Sequence, residues 1–243
     1  MQRNYHTQAL LIKSEPLGDS HRKGTFLAPD LGLFQAAFFG ARSLHSKLGP
    51  FAVPFQHLEL WLYHQPVKNF WKVLDAREIQ PLEGIRADLR RFYTASLWAE
   101  LALYSHAEGD WQTSYRLLTE GLTLLAFWPS PEVRLLNLQF CLKWVTFLGF
   151  AGDFSSSMAY KLADFNHDNN EEWEKTKETR FFDFVHEPLG RYQALEDIYS
   201  VEKALFHYLR ELLGRQLLSL TGWDDMMEIG ARNENGRFDS KKT

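Results

Sequence analysis

The chain has 243 residues, 45% hydrophobic and 24% charged, with a net charge of -4, which fits a globular protein with a sizeable core and excludes low-complexity and collagen-like classes. Residues 1–78 carry nine Lys/Arg against six Asp/Glu, whereas residues 79–243 carry 18 against 25, so the basic part is the one suited to a polyanion. A single cysteine, Cys141, in an apolar helical pattern, excludes an internal disulfide and a four-cysteine metal site and reads as a small buried hydrophobe.

The first residues, Met-Gln-Arg-Asn-Tyr-His-Thr-Gln, have no apolar signal core, and no run of roughly 18 apolar residues occurs, so a cytoplasmic protein without a membrane span is expected. Residues 5–15, around Ala9-Leu10-Leu11-Ile12, read as a first strand. The turn Glu15–Ser20 follows, and Lys23 to Ala28 reads as a second strand. Pro29-Asp30-Leu31-Gly32 is a hairpin signal, because glycine takes a positive φ without strain. The return strand is Leu33 to Phe39. After a loop from Gly40 to Pro50, a long strand is expected from Phe51 to Tyr63. Leu58, Leu60 and Leu62 alternate there with Glu59, Trp61 and Tyr63, placing one set inside and the other outside. Pro66 ends it, and Val67 to Ala76 reads as a fifth strand. Five short strands in under 80 residues indicate a small barrel, either an OB-fold or an SH3-like barrel on strand count alone.

Beyond Pro81 the period becomes helical, with Leu82, Ile85, Leu89, Phe92, Ser96, Ala99 and Leu103 on one face and Arg86, Arg90 and Arg91 on another. Gly109 stops this helix and Asp110 caps the next, which runs to about Phe127. Ser130 and Pro131 suit the N-cap and first turn of a third helix that ends at Gly149. Residues 150–190 read as an irregular insert, with eight acids against three bases from Asp164 to Glu187. A last helix is expected from Tyr192 to Leu220, and a mobile polar tail over 224–243.

Several segments together resemble the bacterial recombination mediator family RecO. They are Gln8–Lys13 with Gly18-Asp19-Ser20, Gly40-Ala41-Arg42 with Ser46-Lys47-Leu48 and Pro54-Phe55, Ile85–Arg91 leading to Ala99-Glu100-Leu101, Leu148-Gly149-Phe150, and Leu213-Gly214-Arg215. The resemblance implies an α+β chain of two parts: a five-stranded OB-fold barrel over 1–79 and an all-α helical domain over 80–223. Relatives often add a four-cysteine zinc site after the third helix. In the insert over 150–190 only His167 and His186 are available and no cysteine, so no metal and no cofactor are expected. Phe39 stands where the family usually has a lysine before Gly-Ala-Arg.

An OB-fold that holds nucleic acid needs cations for phosphates and aromatic faces for bases. The candidates are Lys13, Arg22, Lys23, Arg42, Lys47 and Arg86, with Phe39 or Trp61 as platforms. The resemblance favours Arg42 and Lys47 among them. It also implies binding to RecR and to the acidic C-terminal tail of single-stranded-DNA-binding protein, for which Arg134, Phe140 and Lys143 are the candidate residues. No Walker loop, His-Glu-x-x-His or Gly-x-Ser-x-Gly occurs, so no catalytic residue is assigned. The expected function is a non-enzymatic, nucleoid-associated mediator of DNA repair that binds single- and double-stranded DNA and anneals strands. The alternative is a scaffold whose barrel docks RecR or another protein with minor DNA contact.

Overall fold

The computed structural model describes residues 3–105, 110–150, 184, 186–191, 198–214 and 217–223. Five strands come first: β1 (Asn4–Leu17), β2 (His21–Ala28), β3 (Gly32–Phe38), β4 (Gln56–Gln65) and β5 (Phe70–Gln80). They close a barrel in the order β1-β2-β3-β5-β4 and back to β1, antiparallel except for the β3–β5 pair. This connectivity is that of the OB-fold, a five-stranded Greek-key barrel. Helices follow: α1 (Glu83–Arg86), α2 (Leu89–Tyr104), α3 (Trp111–Phe127), α4 (Val133–Phe147) and α5 (Ile198–Leu213).

The interior of the barrel is filled by the residues that alternation selects. Leu58, Leu60 and Leu62 are fully buried beside Ala9, Leu11, Phe26, Phe34, Phe38 and Val73. Each such leucine contributes about 1.5–3 kcal/mol by leaving water. The run Ala9-Leu10-Leu11-Ile12 is buried throughout because α3 lies against β1 and β2 on the outside. Leu10 pairs with Leu27 on that outer side. Trp111 of α3 packs on Gly32, where a Cβ would come within 2.6 Å of the indole and φ is +66°. Tyr115 of α3 bonds His57 at 2.7 Å. Burial lowers the pKa of that imidazole and, as the main cause, raises that of the phenol. One compact unit thus takes in residues 1–87 and 101–128, and a second takes in 88–100 and 129–243.

Several boundaries differ from the sequence reading, each for a local reason. The fourth strand starts at Gln56, not Phe51, because Gly49–Phe51 is a 3-10 turn and Phe55 takes a left-handed φ of +60°. Phe55 is held there by its N–H to the Leu11 carbonyl at 2.8 Å. The fifth strand starts at Phe70, after a 3-10 turn at Pro66–Lys68 and the left-handed Asn69. The long helix expected beyond Pro81 breaks at Asp88, whose carboxylate accepts the Arg91 N–H at 3.0 Å and starts α2 anew. The break shifts the helical phase. Leu89 and Phe92 lie outside, whereas Ala99 is buried as expected, together with Ala95, Leu97, Trp98, Leu101 and Ala102. Arg86 therefore does not share a continuous helix with Arg90 and Arg91.

Asp110 caps α3 by accepting the Thr113 N–H at 3.0 Å. Ser130 does not cap α4; it opens a 3-10 turn, Ser130–Glu132, with Pro131 in its first positions. Helix α4 does end at a left-handed Gly149. The last helix is interrupted at Gly214, φ +59°, and helical residues resume at 218–223. Gly109, most of the acidic insert including His167, residues 192–197, Arg215 and the tail over 224–243 lie outside the described residues.

Candidate nucleic-acid interface

The corner after β3 is built on backbone hydrogen bonds to the β1–β2 turn. Arg42 donates its N–H to the Ser20 carbonyl at 3.1 Å and its Nη1 to the Gly18 carbonyl at 3.1 Å. Gly40, at φ +68°, donates its N–H to His21 Nδ1 at 2.9 Å. That bond leaves the imidazole proton on Nε2. Ser43 and Ser46 continue the loop through bonds to Gly40 and Ser43, and the Ser46 hydroxyl accepts the Gly49 N–H at 3.0 Å. Leu44, His45 and Lys47 are exposed on the outer turn, Leu44 almost completely.

Phe38 points into the barrel, so Phe39 points out, and it is 40% exposed. Its ring meets His21 edge-on at 4.8 Å and Phe70 at 5.9 Å. The Lys72 ammonium sits 5.3 Å from its centroid. Lys72 arrives there because β3 and β5 run parallel in the register Ala37 to Lys72. The sequence reading had singled out neither His21, Phe70 nor Lys72. His21 directly follows the turn Glu15–Ser20, the one signal in the sequence that points to it.

The remaining cations chosen from the sequence are held by neighbours. Glu15 binds Lys13 at 3.0 Å and Lys23 at 3.5 Å. The hydrogen bond from Lys13 is the main reason its carboxyl lies below the ordinary range. Arg22 donates Nε to the Ser14 hydroxyl at 2.8 Å. Arg86 donates Nη1 to the carbonyls of Pro54 and Phe55 at 3.0 and 3.2 Å, fastening the left-handed residue in place. Trp61 is 37% exposed, but His6 leans on it at 4.9 Å and Asp75 lies across the strand. Glu59 nearby binds His6 and Arg77. Carboxylates around an aromatic face repel phosphates, so this wall is a poorer platform than Phe39.

The three residues chosen for partner binding lie elsewhere. Phe140 has no exposed surface, stacked on Trp98 at 3.9 Å and followed by Trp144 at 5.8 Å. Arg134 binds the buried Glu202 of α5, with Nε to Oε2 at 2.8 Å. Lys143 is half-buried on α4. The structure thus places Phe140 within an aromatic core. Cys141 is fully enclosed, which raises the pKa of its thiol strongly. Among the described residues no group of three or more His, Cys, Asp or Glu could hold a metal ion, and no helix is long and apolar enough to cross a membrane.

No family model matches the chain. Curated relatives do. The chain is 30% identical over 153 residues to the DNA repair protein RecO of Heliobacterium modesticaldum, covering 63% of this chain and 54% of the relative. It is 31% identical over 126 residues to RecO of Acaryochloris marina, covering 51% and 42%. It is 29% identical over 132 residues to RecO of Gloeobacter violaceus, covering 54% and 50%. The chain spans about half the length of the curated relatives it matches. With an OB-fold barrel followed by a helical part, the chain is similar over part of its length to proteins named DNA repair protein RecO.

Proposed function

We propose that the chain is a non-enzymatic DNA-binding protein of repair that acts as a recombination mediator, annealing strands and helping load the recombinase at gaps. One observation carries this reading: the end of the barrel gathers an exposed aromatic, Phe39, with the Lys72 ammonium over it, and the same corner continues into Arg42 and the exposed Lys47. Cations neutralise phosphates and release counterions, which lets two strands approach one another. The site lies at the β1–β2 turn and the start of β5, where OB-folds take oligonucleotides. The similarity to proteins called DNA repair protein RecO supports the same direction.

The test is single-strand binding and annealing across a salt series, comparing the natural chain with an Arg42→Ala/Lys47→Ala double variant. Binding that falls with salt in the natural chain and is weaker and less salt-sensitive in the variant is expected. Binding unchanged by the double substitution removes the corner from the DNA site. No binding at low salt removes the DNA-binding function itself and leaves the scaffold reading, in which the barrel docks RecR or another protein.

A further inference from the structure

We infer that Phe39 and Lys72 act as one unit selective for unpaired bases: a base takes the ring face, and the ammonium that rests over the ring moves to that nucleotide's phosphate. The inference rests on the reading of this corner as a DNA site. Three observations lead to it.

Position 39 lies at an open corner of the barrel. An aromatic occupies the position, and a lysine from a different strand stands 5.3 Å over its ring. An ammonium over a benzene face is weakly held, at about 0.5–1 kcal/mol when exposed. A phosphate can therefore draw it away at little cost, and its departure uncovers the face a base needs.

The ring is also held still. His21 and Phe70 meet it at 64° on each contact, and His21 is itself fixed by the Gly40 N–H at 2.9 Å. A clamped ring loses little side-chain entropy when a base lands on it. The His21 proton, left on Nε2, adds a donor beside the same nucleotide.

Finally, the barrel is short of uncommitted cations. Lys13 and Lys23 bind Glu15, Arg22 binds Ser14, Arg86 binds two carbonyls, and Arg42 gives one guanidinium nitrogen to the Gly18 carbonyl. In a chain of net charge -4, the remaining few phosphate contacts give a duplex little to hold. Stacking adds affinity that only a single strand can collect, because duplex bases already stack on each other.

The experiment uses the full chain with a fluorescein-labelled oligothymidylate and a blunt duplex, read by anisotropy across a potassium chloride series. The variants are Phe39→Leu, Phe39→Tyr and Lys72→Gln, each with its thermal melt recorded. Phe39→Leu should weaken oligothymidylate binding by about fivefold or more, with an unchanged salt slope and an unchanged duplex affinity. Phe39→Tyr should retain the affinity. Lys72→Gln should reduce the single-strand salt slope by about 0.7, one phosphate's worth. Loss of single-strand and duplex binding in equal measure, or a Lys72→Gln slope equal to that of the natural chain, overturns the inference. If Phe39→Leu melts early, Phe39→Tyr and Lys72→Gln decide alone. Should Arg42→Ala/Lys47→Ala abolish binding while Phe39→Leu and Lys72→Gln leave it intact, only this inference fails and the DNA site stands. Should none of them alter binding, the reading of the corner fails as well.

Discussion

The barrel corner and helix α4 each offer a phenylalanine in the same stretch of chain as an arginine, and the two pairs meet opposite fates. Phe39 is 40% exposed and Arg42 lies on the surface of the turn beside it. Phe140 is sealed between Trp98 and Trp144, and Arg134 is bound to Glu202. The chemistry of the residues is the same; the geometry of the element decides. A barrel strand turns every second side chain outward, so Phe39, directly after the inward Phe38 that ends β3, points away from the barrel interior. Helix α4 is enclosed on most sides, with ten of its 15 residues buried, including the polar Asn137 and Gln139. Both use their side-chain oxygens as internal acceptors. Asn137 accepts the Trp98 indole N–H at 2.8 Å, and Gln139 bonds the turn at 184–191, accepting the Gly190 N–H at 2.7 Å. An aromatic beside a cation therefore marks a binding face only where the element leaves one open.

Truncating the two aromatics sharpens this contrast most. Phe140→Ala should cost about 3–5 kcal/mol, because it opens a cavity beneath two indoles. Phe39→Ala should cost no more than about 1 kcal/mol, in keeping with a surface position. Urea unfolding with equal m-values measures both, and comparable losses would erase the distinction between the two regions. Next in size is Gly32→Ala, at about 2 kcal/mol. A left-handed backbone costs an L-residue roughly 1–2 kcal/mol, and the new methyl would stand 2.6 Å from the Trp111 indole. A variant as stable as the natural chain would mean that α3 is not seated on the β2–β3 hairpin.

Much of the barrel was legible in the sequence, and the reason is local. Period-two alternation at Leu58–Tyr63, the Gly32 hairpin and the Asp110 cap each depend on neighbours a few residues apart. What escaped depends on distant partners. Phe55 adopts its left-handed conformation because Leu11 and Arg86 hold it, and no pattern of nearby residues announces that. Lys72 reaches Phe39 through a parallel pairing of strands that are not consecutive. Leu89 and Phe92 face outward because one capping residue, Asp88, starts α2 anew. The burial of Phe140 on α4 is hard to read for a different reason: a helix buried on most sides has no single apolar stripe to mark its outer face.

A smaller effect comes from His57, which joins the barrel to α3 through Tyr115. Burial lowers its pKa from the ordinary 6.5. The folded chain thus resists a proton that the unfolded chain takes up. Stability is complete above pH 6.5 and falls as pH drops through that value towards the lowered one. The slope from this one group is at most about 1.4 kcal/mol per pH unit. Urea midpoints between about pH 7 and 5 should fall more steeply for the natural chain than for His57→Gln. Equal slopes would mean that the imidazole takes up a proton equally in both states.

The smallest effect tests the cations that the barrel keeps to itself. Glu15 lies between Lys13 and Lys23, and at neutral pH its carboxylate competes with any phosphate for both. Exposed pairs of this kind are worth only a few tenths of a kcal/mol each, so Glu15→Gln should leave the thermal midpoint almost unchanged. Its effect belongs to binding. With the carboxylate gone, both ammoniums become available, and affinity for oligothymidylate should rise about twofold with a salt slope steeper by roughly 0.7 to 1.4. A rise in affinity would extend the DNA face from the Phe39 corner along β1 and β2. An unchanged slope would confine it to the corner, and the comparison would then narrow to one turn of the barrel against the whole of α4.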